Sequence, residues 1–265
     1  MVQLTYGSEN QAWADLPPMV HPGAHYRYAP ITQAIIEIKC AVPPETDLET
    51  LRSIIDSGEF PNAEKVTEMH VELGSDENSS DVTGRQIGFL MRSRDESEVI
   101  SSRINGFSYT AFAPYSDWEQ FSGKAWGFWE AYRRIAKPVR ATRLGVRFVN
   151  QIDIPKSHIE IKDYMRTAVD VSPYLPQLVA GYFMQITVPL EKFGSATTIT
   201  STVLPPSADN QTSLILDIDA FQFVDIEITD SVAADEIRSR LNTLRDVKNY
   251  TFEACITDAT RGLIS

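Results

Sequence analysis

Between Ser116 and Pro138 the residues Trp118, Phe121, Ala125, Phe128, Trp129, Tyr132 and Ile135 recur every three or four positions, the period of an α-helix. Ser116-Asp117-Trp118-Glu119 has the S/T-x-x-E form in which a hydroxyl and a carboxylate satisfy free amides at a helix start, and Lys137-Pro138 ends the run. The spacing predicts a helix of about six turns with one strongly aromatic stripe. Such a stripe must be covered, and a β-sheet is its natural cover. Trp126 falls off the stripe and is expected at a rim or an interface.

The rest of the chain supplies strands. Ala34, Ile36, Ile38, Cys40 and Val42 alternate with Ile35, Glu37 and Lys39 up to Pro43-Pro44. Thr46-Asp47-Leu48-Glu49 is a second capping box, predicting a short helix through Leu51, Ile54 and Ile55 that closes at Gly58. Strands are expected over 65–73, 85–94 and 98–112, the last bent at Asn105-Gly106. A strand through 142–154 then places Leu144, Val146 and Phe148 on one side and Arg143 and Arg147 on the other. A short helix over 159–169 and strands over 182–188, 196–204 and 214–228 follow. A long helix with Ile237, Leu241, Leu244 and Val247 precedes a tail containing Phe252, Cys255 and Ile256.

This order of strand, short helix, several strands and long helix occurs twice, with a repeat of about 110 residues. Ile104-Asn105-Gly106-Phe107 also echoes Ile218-Asp219-Ala220-Phe221. We therefore expect an α+β protein built from two β-α-β-β-β-α halves, residues 29–138 and 139–265, after an irregular leader of residues 1–28. The halves would form one curved, mainly antiparallel sheet with two long helices on one face, a topology similar to the saddle of the TATA-binding protein. In that arrangement the first strands of the halves meet, bringing Glu37 and Lys39 close to Arg143 and Arg147 on the uncovered face.

The segments Ala29-Pro30-Ile31-Thr32-Gln33-Ala34-Ile35-Ile36-Glu37-Ile38-Lys39, Thr142-Arg143-Leu144-Gly145-Val146-Arg147-Phe148-Val149-Asn150 and Phe252-Glu253-Ala254-Cys255-Ile256-Thr257-Asp258 resemble three signatures of a sporadically distributed, uncharacterised bacterial family. The resemblance spans residue 28 to the end, and Gln33 departs from it where an acidic residue is expected. It implies a bacterial protein and supplies no activity, cofactor or catalytic residue.

Charge narrows the partners. Asp and Glu number 36 against 24 Lys and Arg, a net charge of −12, which repels a phosphate backbone and argues against non-specific nucleic-acid binding. No apolar run reaches the roughly 18 residues of a membrane span, and Met1–Gln11 lacks the basic and apolar regions of a secretory signal, so a cytoplasmic protein is expected. Asp76-Glu77 in 74–81 reads as a polar loop tip between strands. Cys40 and Cys255 are too few for a disulfide framework, and neither has the basic neighbours of a nucleophile.

The common catalytic signatures are missing: G-x-S-x-G, H-E-x-x-H, the phosphate-binding G-x-x-x-x-G-K, G-x-G-x-x-G and C-x-x-C do not occur. His21 and His25 have metal-ligand spacing, but Pro22 and Gly23 between them break a helix. Glu68, His70 and Glu72 alternate as on a strand edge. Arg143 and Arg147 lie about 13 Å apart on one strand face, so each needs its own partner, either a cross-strand carboxylate such as Glu37 or an anionic ligand. Asn150, on the side of Phe148, reads as a satisfied polar residue at a strand end. Asp217, Asp219, Asp225 and Glu227 share a strand face, and the first two are close enough to share a hard cation.

Three functions fit these residues. The first is a non-catalytic interaction protein that binds another polypeptide through the uncovered face, with Glu37, Lys39, Arg143, Arg147 and Asn150 as its binding residues. This reading requires no cofactor, metal or catalytic residue and leaves homo-oligomer formation open; an accessory or defence-associated bacterial complex suits the family's distribution. The second is a small-molecule binder or enzyme with a pocket between helix and sheet, lined by Trp118, Trp129 and Tyr109, with Arg147 or Asn150 orienting a polar group. The third is a divalent-cation phosphoesterase at Asp217 and Asp219.

Overall fold

The computed structural model describes residues 25–55, 58–73, 80–177, 179–205, 210–228 and 231–265, without the side chains of 70–73, 80–82 and 231. The pair His21 and His25, the loop tip Asp76-Glu77, the set Glu68, His70 and Glu72, and most of the leader 1–28 therefore lie wholly or partly outside the described residues. The strands are β1 (Ile31–Ala41), β2 (Asn62–Leu73), β3 (Ser80–Arg92), β4 (Glu98–Arg103), β5 (Gly106–Phe112), β6 (Arg140–Ile154), β7 (Phe183–Leu190), β8 (Ser195–Val203) and β9 (Thr212–Glu227). The helices are α1 (Trp118–Ala136), α2 (Ile161–Tyr164), α3 (Ser231–Cys255) and α4 (Asp258–Ile264), with 3₁₀ turns over Leu48–Ile54 and Glu191–Phe193. All nine strands belong to one open, mostly antiparallel sheet in the order β2-β3-β4-β5-β1-β6-β9-β8-β7. The fold is α+β. The chain forms two compact units whose boundaries fall inside β1, β6, β9 and α3.

One unit comprises 33–145 and 223–237. Its core is the aromatic stripe of α1 against β5. Phe107 lies 5.9 Å from Trp129 and 5.8 Å from Tyr132, while Tyr109 stacks on Phe121 at 5.5 Å and meets Phe128 at 5.3 Å. Trp129, Tyr132, Phe107 and Tyr109 are all buried, and each side chain of this size contributes roughly 1.5–3 kcal/mol through loss of water contact. Both capping boxes operate one residue later than the sequence pattern implies. Asp117 accepts from the Gln120 amide at 2.7 Å and Asp47 from the Glu49 amide at 3.0 Å. Thr46 instead donates to the Pro43 carbonyl, which commits its hydroxyl to the turn behind the helix.

The bent strand expected over 98–112 is a hairpin. β4 and β5 pair antiparallel from Arg103 opposite Gly106, and Ile104-Asn105 forms the turn. Gly106 has φ 149°, and a Cβ there would stand 2.7 Å from the Ile38 carbonyl oxygen. Only glycine fits this close approach to β1. Gly88, opposite Arg103 on β3, is as tightly placed: a Cβ would meet Arg103 Cα at 2.6 Å.

The other unit gathers 146–222 and 238–265 with the described residues before Gln33. Ile152, Ile154, Leu216 and Ile218 from β6 and β9 form a core with Phe252, Cys255, Ile256 and Ile264. The expected tail is thus helical: α3 runs unbroken to Cys255, and Thr257 caps α4 by accepting from Thr260 N. The helix expected over 159–169 shrinks to the single turn α2, because Met165 turns extended and bridges Ile256. The segment before β1 is irregular and anchored. Tyr26 donates to Glu253 at 2.5 Å, Glu253 accepts from Arg261 Nε at 2.9 Å, and Tyr28 N bonds Ile264 O at 3.0 Å.

Candidate functional site

Alternation along β1 sends Ala34, Ile36, Ile38 and Cys40 into the core and leaves Glu37 half-buried and Lys39 exposed on the opposite face. In the same unit Arg143 Nη1 lies 2.5 Å from Glu37 Oε2, and Arg103 Nη2 lies 3.4 Å from Oε1. Glu37 is bridged by two arginines. Their side chains are only 14% and 23% exposed, so this cluster is an enclosed ion-pair network and not a free anion site. Arg103 was not among the residues expected here. Its only sequence signal is its place beside the turn, and its position depends on glycines at 88 and 106 in the neighbouring strands.

Arg147 has a different partner from the one expected. In the second unit its Nε and Nη2 bind the two Asp217 oxygens at 2.8 and 2.5 Å, a bidentate fork. The Asp217 side chain is 12% exposed and that of Arg147 48%, so the carboxylate is sunk and the guanidinium faces out. Thr200 stands opposite Asp217 on β8 and accepts from Gln185 Nε2 of β7 at 3.0 Å. Thr198 stands opposite Asp219, and its hydroxyl meets that of Thr187 at 3.0 Å. These rows make a hydrogen-bonding sheet face.

Asn150 belongs to the other side. It is 3% exposed, and its amide donates to the Leu216 carbonyl at 3.0 Å and to that of Phe148 at 3.3 Å, so it is a core residue of β6. Arg147 and Asn150 therefore point to opposite faces of one strand. Trp118, Trp129 and Tyr109 are buried against other aromatic side chains, and the Tyr109 hydroxyl donates to Glu98 at 2.7 Å. The four β9 carboxylates do not act together. Asp217 serves Arg147, while Asp225 and Glu227 both pair with Arg140. Among the described residues no three His, Cys, Asp or Glu side chains are grouped as metal ligands.

Among the described residues the interior also holds Lys248, which the pattern of apolar residues does not reveal. Lys248, next to Val247 in the buried stripe of α3, is 8% exposed, with Nζ 3.8 Å from the centre of the Phe148 ring. Burial, with the Arg245 charge nearby, pushes its ammonium down to about 7. Both thiols move the other way: burial raises Cys40, whose Sγ is 3.5 Å from Tyr132 Oη, to about 11, and it raises Cys255 as well. No helix among the described residues is long and apolar enough to cross a membrane. No protein-family model matches the sequence, and no curated protein matches it.

Proposed function

We propose that this chain is a non-catalytic interaction protein, a cytoplasmic member of a bacterial accessory or defence-associated complex, and that it binds another polypeptide through the polar side of its sheet. The observation that carries this reading is the face of the second unit. There Arg147 is half-exposed above a sunken carboxylate, and Gln185, Thr187, Thr198 and Thr200 present amide and hydroxyl groups beside it. Rows of short donors and acceptors suit an extended backbone better than a compact substrate. Glu37, Lys39 and Arg143 contribute a second, separate patch in the other unit, where Lys39 is the exposed member.

The proposal includes an ancestral duplication with one long helix per half. Its support is the strand order: outward from β1 the sheet runs β5, β4, β3, β2, and outward from β6 it runs β9, β8, β7, so each half places its last strand beside its first. The resemblance to the bacterial family remains part of this proposal.

The test is a charge swap that keeps the internal pair, Arg147→Asp with Asp217→Arg. Affinity purification from the native host is expected to lose with this variant the partner recovered with the parent chain, while the urea unfolding midpoint stays within error. An unchanged set of recovered proteins, or none with the parent chain, overturns the reading.

A further inference from the structure

β7 is one end of the sheet, and among the described residues no strand pairs with its outer edge. Terminal strands carry unsatisfied amide and carbonyl groups and are usually guarded by charge. The opposite end is guarded: β2 carries Glu64, Lys65 and Glu68. β7 is not. From Val171 to Leu190 there is no Asp, Glu, Lys or Arg, and Phe183, Ile186 and Val188 are 69%, 38% and 36% exposed. Tyr174 and Leu175, earlier in the same uncharged stretch, are also exposed.

We propose that β7 is a self-association edge, pairing antiparallel with β7 of a second copy about a dyad at Ile186. The charge pattern selects this occupant. Two chains of net charge −12 repel one another over most of their surfaces, and this stretch is where they can meet without opposing carboxylates. An antiparallel pair is also self-complementary under a twofold axis. The dyad sets Gln185 against Thr187, Met184 against Val188 and Phe183 against Pro189, each polar or apolar residue meeting its own kind. Pro189 lacks an amide hydrogen, which confines the pairing to about six residues, roughly 20 Å of edge.

The experiment is sedimentation equilibrium of the full chain across the micromolar range, with Gln185→Lys and Thr187→Glu variants. Both positions are exposed, so the fold tolerates them, and unchanged urea midpoints check this. The parent chain is expected to be a dimer. Each variant alone should dissociate about tenfold more readily, equivalent to about 1.4 kcal/mol, and an equimolar mixture should recover the dimer because residue 185 of one copy faces 187 of the other. Ile186→Cys should form an oxidised dimer, since the native Cys40 and Cys255 are buried. A monomeric parent chain, a dimer indifferent to both variants, or a mixture no tighter than its components overturns the proposal. The swap at Arg147 and Asp217 leaves this edge intact, so the two readings fail independently.

Discussion

Replacing Lys248 by methionine should stabilise the protein, and the gain should depend on pH. The amine ordinarily titrates at 10.5 and is held near 7 in the folded chain by burial. At about 1.4 kcal/mol per unit, that difference corresponds to roughly 5 kcal/mol of unfavourable free energy where both states are protonated. The Phe148 ring, 3.8 Å away, returns about 1 kcal/mol through its attraction for a cation, leaving about 4 kcal/mol against a typical total of about 5–15. The sign follows from proton counts. Between pH 7 and 10.5 the unfolded chain keeps a proton that the folded chain has released, so parental stability rises with pH through that window. Below about pH 7 both states are protonated and the full penalty applies. Methionine keeps the length of the chain and places sulfur against the ring. Urea unfolding at pH 6, 7.5 and 9.5 should therefore show Lys248→Met more stable by about 4 kcal/mol at the lowest pH, the gap narrowing by at least half at the highest. A variant less stable than the parent, or a gap constant with pH, would refute the assignment of a buried, unpaired amine.

Further outcomes follow from the same packing. Trp129→Ala removes a fully buried ring from the α1 contact with Phe107 and should cost about 3–5 kcal/mol by chemical denaturation. Glu37→Gln leaves two arginines facing a neutral amide and should cost about 1–3 kcal/mol; Arg143→Lys, which loses the planar donor group, should cost less. Gly106→Ala forces a side chain into a left-handed position against the Ile38 carbonyl and should lower the unfolding midpoint by more than a simple glycine replacement, about 1 kcal/mol or more. Folded protein at pH 7.5 should react with maleimide far more slowly than urea-unfolded protein, because both thiols are buried and raised.

What the sequence conveyed well was periodicity. The stripe of α1 and the alternation of β1, β6, β8 and β9 are properties of neighbouring residues, and they survive folding almost unchanged. What it conveyed poorly was anything set by a partner strand. Arg147 was expected near Glu37 or Lys39, yet it binds Asp217, because the carboxylate within reach is decided by register between segments 70 residues apart. Arg103 was invisible for the same reason: it matters through Glu37 on β1 and the space left by Gly88 and Gly106. Asn105-Gly106 is a strong hairpin dipeptide, yet the alternation running through it reads as one bent strand; the turn itself falls at Ile104-Asn105, with Gly106 already paired on β5. The S/T-x-x-E pattern puts both caps one residue early, since Ser-Asp and Thr-Asp each offer two acceptors and only geometry chooses. Lys248 leaves no sequence signal, because a charged residue beside a helical stripe ordinarily turns outward.

The bond from Tyr28 to the Ile264 carbonyl, backed by the Tyr26, Glu253 and Arg261 side chains, holds the start and finish of the described chain side by side. A fusion partner appended after Ser265 would thus emerge next to residue 28, whereas deleting 258–265 would strand a sunken Glu253 carboxylate without its guanidinium. Affinity handles for this protein belong on a flexible spacer, and trimming the last turn of α4 to aid crystallisation would also loosen the segment around Tyr28.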